Sequence, residues 1–177
     1  YKGLIYRDYR LLTSADFSGI LTKGGTILGS SRQPFKQMRV PDANGLDKVE
    51  AMKHTYHKLN LDCLVILGGN GTQKTANLLR EEGLNIIHLP KTIDNDLAVT
   101  DHTPGFGSAA KFIAATMKEI IRDGLVYDYP TVTIVEIMGR NAGWLTAAAA
   151  LAKSDDCEGV DLIYLPEKVF DICLLYT

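Results

Sequence analysis

The chain has 177 residues, a formal net charge of −2 and 46% hydrophobic residues, which suits one domain with a buried core. Acidic and basic residues are interspersed, which excludes the electrostatic footprint of a nucleic-acid binder, and no apolar run is long enough to span a membrane. Three scattered cysteines, Cys63, Cys157 and Cys173, and a start without a secretory pattern favour the cytoplasm.

The first sixty residues contain short predicted elements and one candidate ligand turn. Residues 3–6 and Thr26 to Leu28 suit strands, while the run 13–16 resembles a capping box and predicts a short helix through Leu21. Apolar residues at three- and four-residue steps predict an amphipathic helix over 46–59. A small-residue turn at 29–31 precedes Arg32, which can reach a phosphate. Taken alone, a solvated surface arginine is the favoured interpretation.

A glycine-rich turn follows the first long apolar run. Residues 61–67 read as a central parallel strand and lead directly into the run 68–72, Gly-Gly-Asn-Gly-Thr, and then into a predicted helix that ends near Gly83. A strand, a glycine turn and a helix together aim free backbone N–H groups at a phosphate. The alternative is a tight turn without a ligand. The run is neither a Walker A motif nor the dinucleotide fingerprint.

Two carboxylates follow the next predicted strand, residues 85–89. The run 90–96 reads Pro-Lys-Thr-Ile-Asp-Asn-Asp, and in an extended segment Asp94 and Asp96 face the same space. The nearby Lys91 ammonium and Thr92 hydroxyl suit an anionic ligand, and such a carboxylate can serve as a general base or help to hold a cation. A polar turn with no further role is the alternative.

The second half of the chain continues the alternation. Helices are predicted over 109–122 and 142–152 and strands over 131–137 and 160–165, with the run 138–143, Met-Gly-Arg-Asn-Ala-Gly, after the first of these strands. The alternation predicts an α/β fold, a parallel sheet with helices on both faces. Since ligands sit beyond the carboxyl ends of such strands, we expect the loops 68–72, 90–96 and 138–143 to line one cleft suited to phosphoryl transfer to a hydroxyl.

At these residues the sequence resembles the phosphofructokinase family, over about Gly3 to Glu167. The runs 68–72 and 90–96 resemble the family's glycine loop and catalytic signature. Met-Gly-Arg with Gly143 resembles its sugar-phosphate loop, and the segment 25–32 its nucleotide-side arginine turn. The resemblance implies a Rossmann-like sheet of the phosphofructokinase type, incomplete at both ends. It further implies transfer of a phosphoryl group from ATP, with Mg²⁺, to the 1-hydroxyl of fructose 6-phosphate.

The resemblance also implies residue roles. Asp94 is the expected general base, with Thr92 and Ile93 lining the substrate and Asp96 supporting charge and metal placement. Met138, Gly139 and Arg140 are expected to hold the sugar phosphate. The residues expected to face the phosphoryl donor are Arg32, Gly69, Asn70, Gly71, Thr72 and Lys91.

Three positions depart from the family pattern. Asn70 stands where the family usually has a magnesium-binding aspartate, so metal ligation there is weaker or indirect. Thr131 stands near the place of an arginine that reaches a neighbouring subunit. At the two donor-discriminating positions, Gly71 is of the ATP type and Lys91 of the pyrophosphate type. We favour ATP because glycine leaves space for a nucleotide's α-phosphate, and a pyrophosphate-dependent enzyme is the alternative.

The resemblance sets the expected domain organisation. Residues 1–167 are interpreted as a partial N-terminal donor and catalytic domain, and 168–177 as a non-native tail; the C-terminal sugar-phosphate domain is expected to be absent. We therefore expect the isolated chain to be inactive and the parent protein to be a homo-oligomer. The rival interpretations are NAD or diacylglycerol kinases, which lack the 90–96 and Met-Gly-Arg motifs, and a regulatory subunit on the same fold.

Overall fold

The computed structural model describes residues 1–175. The chain divides into two compact units, Tyr1–Pro90 and a second that begins at Lys91. Within the described residues, no helix has both the length and the hydropathy needed to cross a bilayer.

The first unit is built around two parallel strands. Strand β1 (Leu64–Gly68) pairs with β2 (Ile86–Pro90) in a register that sets Leu64 opposite Ile86 and Gly68 opposite Pro90. Parallel neighbours need a crossover connection, and helix α3 (Asn70–Glu81) supplies it. The predicted strands at 61–67 and 85–89 and the helix between them are therefore confirmed, and Gly83 follows α3 with a φ of +90°.

Helices pack on one face of this sheet. Helix α1 (Lys2–Tyr6) contacts α2 (Lys48–Lys58), and α2 begins at the side chain of Asp47, which accepts hydrogen bonds from the N–H groups of Val49 and Glu50. This N-cap is of a kind that stabilises a helix by about 1 kcal/mol. The core combines α2, α3 and the inner face of the sheet, with Met52 and Leu79 fully buried beside Ile66.

The other face of the sheet is open in this unit. The side chains of Val65, Leu67, Ile87 and Leu89 point there and are each about half exposed. The prediction of helices on both faces is wrong for this unit, because the apolar content of a strand indicates that it can be buried and not which element covers it.

The second unit is helical. Helix α4 (Phe106–Gly124) and the helix α5 (Trp144–Ala147), which continues as a 3₁₀ turn over Ala148–Ala152, enclose a small core that contains Met117, Ala149 and Ala152. Another 3₁₀ turn covers Ile172–Leu175. The helices predicted over 109–122 and 142–152 are confirmed, the second with 3₁₀ geometry in its latter half.

A carboxylate braces the loop after this core. Asp156 accepts hydrogen bonds from the Ser154 hydroxyl at 2.6 Å and the Lys118 ammonium at 3.3 Å, and it also pairs with Arg122. The Ser154 hydrogen bond, followed by the hydrogen bond and charge of Lys118 and the charge of Arg122, lowers the pKa of Asp156 to about 2. These groups tie the loop to helix α4.

Four predicted strands are not formed. Residues 3–6 lie in helix α1, and the segments 26–28, 131–137 and 160–165 are irregular, so the sheet of the described residues has two strands. Val132 and Ile134 are each 91% exposed, while Ile137, Val160 and Ile163 pack against the core of the second unit. β-Branched residues favour a strand only where a neighbouring strand offers a ladder, and these segments have no such neighbour in their unit.

The predicted early helix is also shorter than expected. The Asp16 carboxylate accepts hydrogen bonds from the N–H and hydroxyl groups of Thr13, and the bond from the N–H is one of the two that define a capping box. The helix is a 3₁₀ turn over Ser14–Phe17, and a separate one covers Ile20–Thr22. Gly19, with a φ of +70°, interrupts them.

Candidate active site

The glycine turn brings a helix N-terminus to the end of a strand. Strand β1 ends at Gly68, Gly69 is the N-cap, and helix α3 begins at Asn70. No side chain among the described residues caps this helix, so the first-turn N–H groups lack the side-chain acceptor that usually satisfies them. Together with the helix dipole, they can bind an anion.

Two of the glycines in this turn differ in what surrounds them. A Cβ built on Gly68 would lie 2.5 Å from the Thr72 hydroxyl oxygen, so the protein itself excludes a side chain there. A Cβ on Gly71 would have no atom within 4 Å. The fold therefore does not require glycine at 71, where glycine is in fact unfavourable because it weakens a helix.

Strand β2 ends beside β1 at one edge of the sheet. Gly68 and Pro90 are opposite each other at the ends of β1 and β2, and Lys91 is the next residue. The predicted position at the carboxyl ends of parallel strands is confirmed for Gly68 and Pro90, the first residues of the run 68–72 and of the acidic loop 90–96. It is wrong for the run 138–143, because the segment before it is not a strand.

The acidic loop is bent. Residues 93 and 94 form a bend and Asn95 has a φ of +55°, so the alternation of an extended segment does not apply. Asp94 is partly buried, whereas Asp96 is exposed. The prediction that i, i+2 spacing makes the two carboxylates face one space is thus wrong in its premise, and the two groups lie in different environments.

Hydrogen bonds within the second unit hold the bend. The N–H of Asp94 donates to the Thr92 hydroxyl at 3.1 Å, and the Thr103 hydroxyl donates to the Thr92 carbonyl at 2.7 Å. The side chain of Asn95 accepts from the Thr103 N–H at 2.9 Å and donates to the Asp101 carbonyl at 3.1 Å. No role was predicted from the sequence for Asn95 or Thr103. The unusual length of the segment between β2 and α4 was the available signal, since long ordered loops are usually functional.

The loop 138–143 depends on two glycines. Gly139 has a φ of +140°, and a Cβ there would lie 2.4 Å from the carbonyl oxygen of Ala142. Gly143 donates its N–H to Glu167 at 2.7 Å, and a Cβ would collide with that carboxylate. Arg140 is exposed between them. Glu167 is a further residue that the sequence analysis had not assigned to this loop.

Several of the other candidate residues are exposed, and the rest are partly buried. Arg32, Asn70, Lys91 and Arg140 are exposed, Met138 is 65% exposed, and Thr72, Thr92 and Ile93 are partly buried. The Tyr1 hydroxyl donates to the Thr72 carbonyl, which anchors the first turn of α3. Burial raises the pKa of the Tyr1 hydroxyl well above its usual value, so it stays a donor at neutral pH.

Two exposed residues, one in each unit, offer oxygen atoms of a kind that can bind a metal ion. In the described residues, no three His, Cys, Asp or Glu side chains are grouped to hold a metal ion. Asp96 offers one exposed carboxylate and Asn70 one exposed amide oxygen. Mg²⁺ commonly takes one or two protein oxygens and completes its shell with substrate phosphates and water. Each of these two residues, in its own unit, can supply one such oxygen.

The family model for phosphofructokinase matches residues 1–176. This chain belongs to the phosphofructokinase family. It is 49% identical over 179 residues to an ATP-dependent 6-phosphofructokinase of Spirochaeta thermophila, with 97% of this chain and 46% of that protein covered. It is also 49% identical, over 112 residues, to a pyrophosphate–fructose 6-phosphate 1-phosphotransferase of Rhodospirillum rubrum, with 60% and 27% covered.

Solved structures agree with this assignment. The fold matches the structure of phosphofructokinase from Saccharomyces cerevisiae with a TM-score of 0.70 at 26% identity, with 85% of this chain and 22% of that chain covered. The chain spans less than half the length of the relatives it matches. The family match includes residues 168–176 as well as the segment before them.

Proposed function

We propose that this chain forms the donor and catalytic part of an ATP-dependent 6-phosphofructokinase. The enzyme transfers a phosphoryl group from ATP to the 1-hydroxyl of D-fructose 6-phosphate and gives fructose 1,6-bisphosphate. The observation that carries the proposal is the pairing of β1 with β2, which sets Gly68 and Pro90, the first residues of the two motifs, opposite each other. The ATP-dependent relative at 49% identity supports it.

Asp94 is the proposed general base. Its carboxylate accepts the proton of the sugar hydroxyl as that oxygen attacks the γ-phosphorus and the bond from this phosphorus to the leaving ADP breaks. General-base catalysis of this kind typically contributes 10²–10⁴-fold in rate. Thr92 and Ile93 flank the sugar, and the Arg140 guanidinium binds its 6-phosphate, with Met138 and Gly139 shaping that loop. Of the two carboxylates in the run 90–96, Asp94 is the partly buried one, which supports this division of roles.

A second group of residues binds the phosphoryl donor in this proposal. The N–H groups at the start of α3, from Gly69 to Thr72, stabilise phosphate charge, and Gly71 leaves space for the nucleotide. Lys91 and Arg32 add positive charge. Asp96 and the Asn70 amide are the residues that would offer oxygen atoms to Mg²⁺, which would supply charge neutralisation. We propose that the full-length protein is a homo-oligomer in the cytoplasm.

The substitution Asp94→Ala tests the proposal in the full-length protein that carries this chain. We expect the kcat with ATP to fall by about 10²–10⁴-fold while fructose 6-phosphate still binds. Asp128→Asn, a charge change at an exposed position outside the proposed site, is the control and should keep the parent kcat. Unchanged turnover in the Asp94 variant contradicts the proposal and favours a regulatory subunit, an alternative to which the uncharged Asn70 gives weight.

The second candidate is a pyrophosphate-dependent fructose 6-phosphate 1-phosphotransferase. Lys91, which is cationic and exposed, and the relative from Rhodospirillum rubrum favour it. Assays of the full-length protein with ATP and with pyrophosphate, side by side, separate the two. A higher kcat/KM with pyrophosphate overturns the ATP assignment and leaves the sugar phosphate and Asp94 in place.

A further inference from the structure

Asn95 is a buried polar residue between the two aspartates of the acidic loop. It is 7% exposed, and Thr103, across the loop, is 3% exposed. Burial of polar side chains is unfavourable unless they are hydrogen-bonded. Both residues meet that condition by bonding to the backbone of the same loop.

The hydrogen bonds join the two ends of the loop. The Asn95 amide oxygen accepts from the Thr103 N–H, and its amide nitrogen donates to the Asp101 carbonyl. One partner is a donor and the other an acceptor, so only this orientation of the amide satisfies both. Thr92 also forms a parallel bridge with Gly105. The segments 92–95 and 101–105 are thereby closed into one arch.

Thr92 connects this arch to Asp94. The Thr92 carbonyl accepts from the Thr103 hydroxyl at 2.7 Å, while the Thr92 hydroxyl accepts from the Asp94 N–H at 3.1 Å. Asn95 follows Asp94 directly, in the left-handed conformation that asparagine tolerates better than most residues. Hydrogen bonds therefore hold Thr92 and Asn95, which precede and follow Asp94, and the carboxylate of Asp94 takes no part in these bonds.

We propose that Asn95 and Thr103 are positioning residues that hold the backbone of Asp94 in place for proton transfer. The expected effect on turnover rests on the proposed function. The structural role of the two residues rests on the hydrogen bonds alone. Neither side chain needs to touch the substrate. Proton transfer requires heavy atoms within about 2.6–3.2 Å, so a small displacement of the base reduces the rate.

The substitution Thr103→Val removes the hydroxyl and preserves the shape of the side chain. In the full-length protein we expect kcat to fall by about 10–100-fold, the range for a displacement of about 1 Å, with KM for fructose 6-phosphate changed less than kcat. Thr103→Ser keeps the hydroxyl and should restore most of kcat.

Asn95→Gly separates the backbone from the side chain. Glycine adopts the positive φ without difficulty, so the loss of kcat in this variant reports the two amide hydrogen bonds. Thr100→Val is the matched control, because the Thr100 hydroxyl bonds only to the nearby Ala98 carbonyl in an exposed part of the same loop. We expect this control to retain the parent kcat.

Hydrogen exchange at the Asp94 amide gives a readout that needs no turnover. Thr103→Val and Asn95→Gly should accelerate that exchange, while exchange in the middle of helix α4 stays as in the parent. If exchange at the Asp94 amide is accelerated in the variants but the parent protein has no phosphofructokinase activity, the positioning role stands and the proposed function is refuted. Unchanged exchange, or a parent-like kcat in Thr103→Val, or no rescue by Thr103→Ser, overturns the positioning role itself.

Discussion

An aspartate in place of Gly71 separates what helix α3 requires from what the phosphoryl donor requires. Gly71 is the second residue of α3, and a Cβ there would have no atom within 4 Å. The protein therefore has room for a side chain at a position where glycine is unfavourable for the helix. If glycine is present for the sake of the donor, its replacement affects ATP use and leaves the fold intact.

The expected effect on stability is small and favourable. Aspartate has a helix propensity a few tenths of a kcal/mol better than that of glycine. A carboxylate in the first turn adds about 0.3–1 kcal/mol through the helix dipole. We therefore expect the free energy of unfolding of the Gly71→Asp variant to equal or exceed that of the parent.

The expected effect on ATP use is unfavourable. Two like charges about 4 Å apart repel each other by about 1 kcal/mol in water and about 4 kcal/mol at an effective dielectric constant of 20. Since about 1.4 kcal/mol is a factor of ten, kcat/KM for ATP should fall by about five- to 1000-fold. Use of pyrophosphate, which has no nucleotide part, should fall less.

The assay compares kcat/KM for ATP and pyrophosphate with thermal unfolding in the parent and in Gly71→Asp. Gly71→Ala is the matched control, since it adds a Cβ without a charge and should stabilise α3 by about 0.5–1 kcal/mol. Unchanged ATP use in the aspartate variant would refute the argument that Gly71 faces a nucleotide. A large loss of stability would refute the claim that the position is unobstructed.

Two further predictions concern the loop 138–143 and the acidic group after helix α5. Gly139→Ala should destabilise the protein by about 1–3 kcal/mol, because its Cβ would lie 2.4 Å from the Ala142 carbonyl oxygen. The control Gly107→Ala changes an open helical position and should be neutral or stabilising in chemical unfolding. Equal stability of the two variants would contradict the steric reason. The pKa of Asp156 lies at about 2, below the value of about 3.9 in an unfolded chain. Its contribution to stability is therefore present above pH 4 and is lost as pH falls towards 2. An NMR titration should show this midpoint and its rise in Ser154→Ala, and a midpoint near 3.9 in the parent would disprove it.

The sequence alone determined the family, the β1–α3–β2 unit and the candidate residues. Continuous apolar runs, a glycine turn and a C-terminal glycine for α3 are local signals, and all three elements are where they were predicted. The motifs at 68–72 and 90–96 identified the family, which the match over residues 1–176 confirms. Their chemical roles stay predictions.

The tertiary structure decided which segments became strands and how the acidic loop bends. The segment 131–137 has the composition of a strand, but a strand exists only where a neighbour completes its ladder, and Val132 and Ile134 are exposed instead. The bend at Asp94 likewise depends on hydrogen bonds from Thr103, which is eleven residues from Thr92. Local pattern does not encode such pairings, because their energy depends on which distant groups the folded chain brings together.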